Sequence, residues 1–153
     1  MTRNPVISVT CAVLLGGSAL VFSAGVHADE IAQRKVAMQN NNNAAKTLTA
    51  MFKGETAFDG KAVAFAGYTI ANDFAAARTL FPEGSVRDDS RAKPEIWQDM
   101  EGFIAALENA DAAAKAVAAT GEANDEAAFK EAFGGLGKAC GDCHEKFRAP
   151  RNN

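Results

Sequence analysis

At 153 residues and 48% apolar side chains, the chain can bury one sizeable core and is too short for several. Its 16 Lys and Arg against 19 Asp and Glu leave a net charge of −3, a mildly acidic balance that speaks against nucleic acid or anionic membranes as partners.

Residues 1–28 read as a secretory signal peptide. Arg3 supplies the positive charge, Val6 to Phe22 is apolar and uncharged, and Val26-His27-Ala28 offers a signal-peptidase site. A membrane-spanning helix needs about 20 apolar residues, whereas Gly16, Gly17 and several polar residues interrupt this stretch. The expectation is an exported domain, residues 29–153, located in the periplasm and without a stable membrane anchor.

Within that domain four segments repeat apolar residues every three or four positions, and none alternates like a strand. The first, about 31–53, places Ile31, Met38, Ala45, Leu48 and Phe52 on one side and stops at Gly54. Its Asn40-Asn41-Asn42-Asn43 run is poor helix, at about 0.6 kcal/mol per residue relative to alanine. The second, about 60–80, is capped by Asp59 and uses Val63, Ile70, Phe74 and Leu80 before Phe81-Pro82-Glu83-Gly84-Ser85 breaks it. The polar stretch 85–91 reads as a solvated loop. The third begins near Pro94, runs through Ile96, Met100, Phe103, Leu107 and Val117, and ends at Gly121. The fourth opens at Asn124 or Asp125 and carries Phe129, Phe133, Leu136, Cys140, Cys143 and Phe147 in a four-three alternation. Short connections and one longer one predict an all-α, antiparallel four-helix bundle. Alanine-rich helices of this kind either close tightly or leave room for a guest.

The fourth segment names the guest. Cys140-Gly141-Asp142-Cys143-His144 spells C-x-x-C-H, the attachment signature of a single c-type haem, in which two thiols add to the porphyrin vinyl groups and the imidazole binds iron. Once Cys11 and His27 leave with the signal segment, these are the only cysteines and histidine left, too few for a structural zinc site. A disulfide between Cys140 and Cys143 would suit an exported protein but leaves His144 unexplained. A catalytic peroxidase would want a second, distal histidine, so the chain is not expected to be an enzyme.

C-x-x-C-H near the C-terminus of an exported helical bundle resembles the cytochrome c-prime family, the class II c-type cytochromes. Arg34, the stretch 80–85, Arg91-Ala92-Lys93-Pro94-Glu95-Ile96-Trp97 and residues 140–148 carry the likeness. The resemblance implies thioethers at Cys140 and Cys143, an axial imidazole at His144, Arg148 beside the proximal haem edge and Arg34 near a haem propionate. It also divides the possible functions. Some members leave the sixth iron position open to NO or CO, and others fill it with a first-helix methionine. Met38 lies one helical turn beyond Arg34, about 40° away around the axis, and Met/His ligation is an established haem arrangement. The expectation is therefore a one-electron carrier with His144 and Met38 as axial ligands, docking weakly with redox partner proteins; the alternative is a five-coordinate protein that binds NO or CO. The resemblance also admits a homodimer.

Overall fold

The structure is a computed structural model that describes residues 23–150, with side chains from residue 30. Of the expected signal segment, residues 1–22 lie outside the described residues, and residues 23–28 are helical backbone. The helices are α1 (Ser23–Phe52), α2 (Gly60–Ala77), α3 (Glu95–Gln98), α4 (Met100–Glu122) and α5 (Glu126–Phe147). Side-chain pairs fix their directions. Arg34 reaches Leu80, Tyr68 Oη donates to Glu122, and Lys146 pairs with Asp99, so α1, α2, α4 and α5 run antiparallel in turn. The four long helices make the expected bundle, with α3 a single turn. The described residues hold no strand, only an isolated bridge between Ala92 and Arg148. No described helix is long and apolar enough to cross a membrane.

Three aspartates start three of these helices. Asp59 accepts from the Lys61 and Ala62 amides, Asp99 from Gly102 and Asp125 from Ala128, each satisfying donors that the first helical turn leaves unpaired. The third expected helix departs from the sequence reading at Asp99, whose φ of −135° and ψ of 61° split it into α3 and α4. A short carboxylate competes well with the helical backbone for hydrogen bonds, and here it also holds the Lys146 ammonium at 2.6 Å. Pro94 is accordingly the residue before α3 and not inside a long helix. The second helix likewise stops at Ala77, short of the expected Leu80.

Gly121 does not end its helix. It lies within α4, buried against α2, where a Cβ would meet the Gly60 carbonyl oxygen at 2.5 Å. Gly67 does the same from α2, its missing Cβ falling 2.7 Å from the Ala118 nitrogen. Backbones therefore touch at the α2–α4 crossing, and with Ala66, Ala114 and Ala118 around them these two helices close tightly. Termination falls instead to Asn124, at φ 51°.

Aromatic rings occupy the two ends of the bundle. Phe52, Phe58, Phe129 and Phe133 pack at one end, and Phe81, Phe103 and Phe147 stack edge to face at the other. Between them α1 is not uniformly apolar inward: Ile31 and Leu48 are buried, whereas Met38 and Phe52, expected on the same side, are 37% and 43% exposed. The asparagine run stays helical, with the Gln39 amide donating to Asn43 and Asn40 bonded to Asp73 of α2. These cross-links offset the poor propensity of the run.

Candidate haem-binding site

Along α5, residues 140, 143, 144 and 147 fall on one stripe, because steps of three and four residues nearly complete a helical turn. That stripe forms one wall of a cavity of about 400 Å³. Cys140, Cys143 and His144 line it together with Met38 of α1, Phe74 of α2 and Phe103 and Leu107 of α4. Sequence spacing alone brought the first three together; the opposing walls required the fold.

Burial sets the protonation of the triad. It pushes the Cys140 thiol above its ordinary pKa; the Cys143 thiol is raised by burial and then by the neighbouring Cys140, against the opposing pull of Arg148. Both cysteines are free thiols. Burial, reinforced by the Arg148 and Arg91 charges, lowers the His144 pKa to about 4, so the imidazole is neutral at pH 7 and keeps a lone pair for a metal. Two free thiols one turn apart, a neutral imidazole beside them, apolar walls and the cations Arg91 and Arg148 on the same cavity together fit a covalently attached porphyrin with its carboxylates.

The other two expected contacts, Arg34 and Arg148, also line this cavity. Arg34 lines the cavity but is 7% exposed, and its donors go to protein: Nε to the Leu80 carbonyl at 2.5 Å, Nη1 to the Ser85 carbonyl at 3.1 Å and Nη2 to Ser85 Oγ. Its guanidinium also lies 4.0 Å from the Phe81 ring centroid. Burial lowers the Arg34 pKa, and Glu30 opposes the shift. Arg34 is thus first a clasp that fastens the segment after α2 onto α1. Arg148 caps α5 in extended conformation, its amide donating to the His144 carbonyl, and its side chain lines the cavity near both Cys143 and His144. The stretch 85–91 is not simply solvated: Ser85 is fully buried, Lys35 binds Asp89 at 2.8 Å, and Ser90 and Arg91 form cavity wall. Sequence reading also missed Phe81 and Phe103 as wall residues near Met38, and Trp97, whose Nε1 donates to the Pro82 carbonyl at 2.8 Å. The only sequence signal for this clasp was the Phe81-Pro82-Glu83-Gly84-Ser85 turn.

A four-helix bundle whose last helix presents C-x-x-C-H to an internal apolar cavity is a helical c-type cytochrome. Residues 29–148 match the family Cytochrome C', and the chain belongs to it. Cytochrome c' of Rhodopseudomonas palustris is 39% identical over 125 residues, covering 81% of this chain and 84% of that protein. A solved structure of cytochrome c' from Rhodopseudomonas palustris, 38% identical, covers 81% of this chain and 98% of its own with a TM-score of 0.75. Cytochrome c-556 of Agrobacterium fabrum is 34% identical over 141 residues, 92% of this chain and 94% of that one. The bundle also resembles a nitric oxide complex of a variant cytochrome c prime from Alcaligenes xylosoxidans, with a TM-score of 0.75 over 82% of this chain and 97% of that one at 22% identity, a likeness of fold. Proteins of the Cytochrome C' family bind covalently attached haem c with its iron and carry electrons.

Proposed function

We propose that this chain is an exported haem c protein in which Cys140 and Cys143 hold the porphyrin, His144 is the axial ligand, and the opposite side of the iron is open to a small uncharged gas such as NO or CO. The observation that carries this reading is the cavity itself. On the α1 and α2 side the cavity is lined by Ile31, Ala37, Met38, Phe74 and Ala77 together with Lys35, Gln39 and Asn42; the Arg34 guanidinium is committed to Leu80 and Ser85, and the Lys35 ammonium to Asp89. A wall in which apolar groups predominate and the cations are already bonded to protein favours neutral diatomic ligands over anions. The cytochromes c' among the relatives point the same way, which sets the six-coordinate expectation from the sequence second. The haem supplies a one-electron iron couple. The chain's own residues hold it, shield it from water and keep the axial imidazole neutral, a carrier or binding role and not catalysis.

Met38 keeps the second reading alive, because it lines the same cavity as His144 from the opposite helix. Ligation there would give a low-spin carrier. One experiment separates the two: CO added to the reduced protein binds rapidly and stoichiometrically if the site is open, and is resisted if Met38 holds the iron. A low-spin ferric spectrum at neutral pH would overturn the open-site reading.

Export to the periplasm and weak docking with redox proteins complete the proposal. A homodimer is supported by Val36 on α1 and Phe65 on α2, apolar side chains that are 59% and 77% exposed. Sedimentation of the haem-loaded protein, compared with a Phe65→Ser variant, tests it; an unchanged monomer in both sinks it.

A further inference from the structure

The segment joining α2 to α3 is bonded to the end of α5. Where α5 stops, its last carbonyls need partners from outside the helix. The Lys93 amide donates to the Phe147 carbonyl at 3.0 Å, and the Lys93 ammonium to the Lys146 carbonyl at 2.7 Å. Arg91 takes the next available carbonyl. Its Nε and Nη2 both donate to Ala149, at 2.9 and 2.6 Å, while the Ala149 amide donates back to the Arg91 carbonyl at 2.8 Å. Ala92 and Arg148 form the antiparallel bridge between these bonds. The Arg148 amide, in turn, closes on the carbonyl of His144.

Arg91 is therefore three links from the axial histidine: its side chain fixes Ala149, the adjoining bridge fixes Arg148, and Arg148 closes the turn that carries His144. No other side-chain group in this network grips one carbonyl with two donors. Arg91 also lines the same cavity as His144, so the grip sits beside the metal site and not on a remote surface. The planar guanidinium suits this task because Nε and Nη2 lie in a fixed fork, whereas a lysine ammonium offers a point charge on a flexible stem.

We propose that Arg91 is a positioning residue for His144: by forking onto the Ala149 carbonyl it sets the orientation of the turn from which the imidazole reaches the iron. The inference rests on His144 being the axial ligand, as proposed above.

The test is the iron–histidine stretching band of the reduced, haem-loaded protein, read by resonance Raman spectroscopy in Arg91→Gln and Arg91→Lys. Both variants are expected to keep the haem attached and to show the band shifted and broadened, because both lose the fork. Arg87→Gln, in the same segment but paired with Asp89, is expected to leave the band unchanged. A band unchanged in both Arg91 variants, even with a lower Tm, overturns the proposal and leaves Arg91 as a support of the fold alone. Restoration of the normal band by Arg91→Lys also overturns it, since charge without the fork would then suffice. Should Arg91→Gln fail to fold, Arg91→Lys alone decides. If the unaltered reduced protein shows no such band, the iron is not a five-coordinate, histidine-bound centre, and it is the open-site reading proposed above that fails, leaving Arg91 to be read by the same comparison in Met38→Ala.

Discussion

His144 shows how much a single environment changes a side chain. Its imidazole is half buried among apolar groups and faces two arginines, so the neutral form is favoured and the pKa falls to about 4. The unfolded chain takes up the same proton near pH 6.5. Between those values the unfolded state binds more protons, so the contribution of this group to stability is intact above pH 6.5 and is lost as the pH falls toward 4. For the chain produced without haem, in which His144 binds no iron, melting curves from pH 7 to pH 4 should show Tm declining across that window, and His144→Gln should flatten that part of the decline. His144→Ala should also leave the haem attached through Cys140 and Cys143 while abolishing the normal axial-ligand spectrum. Met38 is argued at the same scale. If it only shields, Met38→Ala keeps a high-spin spectrum and takes up CO at least as fast as the parent; a change from low spin to high spin would establish it as a ligand. The candidate residues on α5 were legible because three-four spacing fixes a helical stripe. The role of Arg34 was not, because its partners Leu80 and Ser85 are 46 and 51 residues away.

Among the helices, the α2–α4 pair is where small side chains matter most. Gly67 has the Ala118 backbone 2.7 Å from the position of a Cβ, leaving no space for anything larger. Gly67→Leu should therefore cost upward of about 1–3 kcal/mol, measured by denaturant unfolding, because the overpacking is relieved only by moving a helix. Asp59→Ala should cost about 1 kcal/mol by freeing the Lys61 and Ala62 amides. A Gly67→Leu protein as stable as the parent would show that the crossing is looser than its geometry. Element existence and type were readable from periodicity, and Asp59 and Asp125 as caps from residue type. The break at Asp99 was not: an aspartate inside an apolar repeat does not reveal that Lys146, on another helix, will hold it out of helical geometry. Gly121 was misread for a related reason, since glycine serves both as a helix stop and as a close-contact surface, and only the neighbouring helix distinguishes them.

At the scale of the molecule, tight packing of α2 on α4 contrasts with the open cavity among α1, α5 and the segment before α3. Phe74, Phe103 and Leu107 on the wall of that cavity are already buried, so haem held there would cover chiefly Met38, which is 37% exposed, and the half-buried Cys140, Cys143 and His144. The chain produced without haem attachment should accordingly melt at lower temperature and with less cooperativity than the haem-loaded protein; coincident melts would mean the bundle owes nothing to its cofactor. The sequence by itself determined the helical class, the attachment pentapeptide and the family likeness, because periodicity and motif spacing are properties of neighbours along the chain. Only the tertiary structure decided which walls face His144, that Arg34 is spent on a clasp, and that Arg91 closes on Ala149. Each depends on groups brought together from separate helices, and a hydrogen bond has no direction until both of its partners have a place.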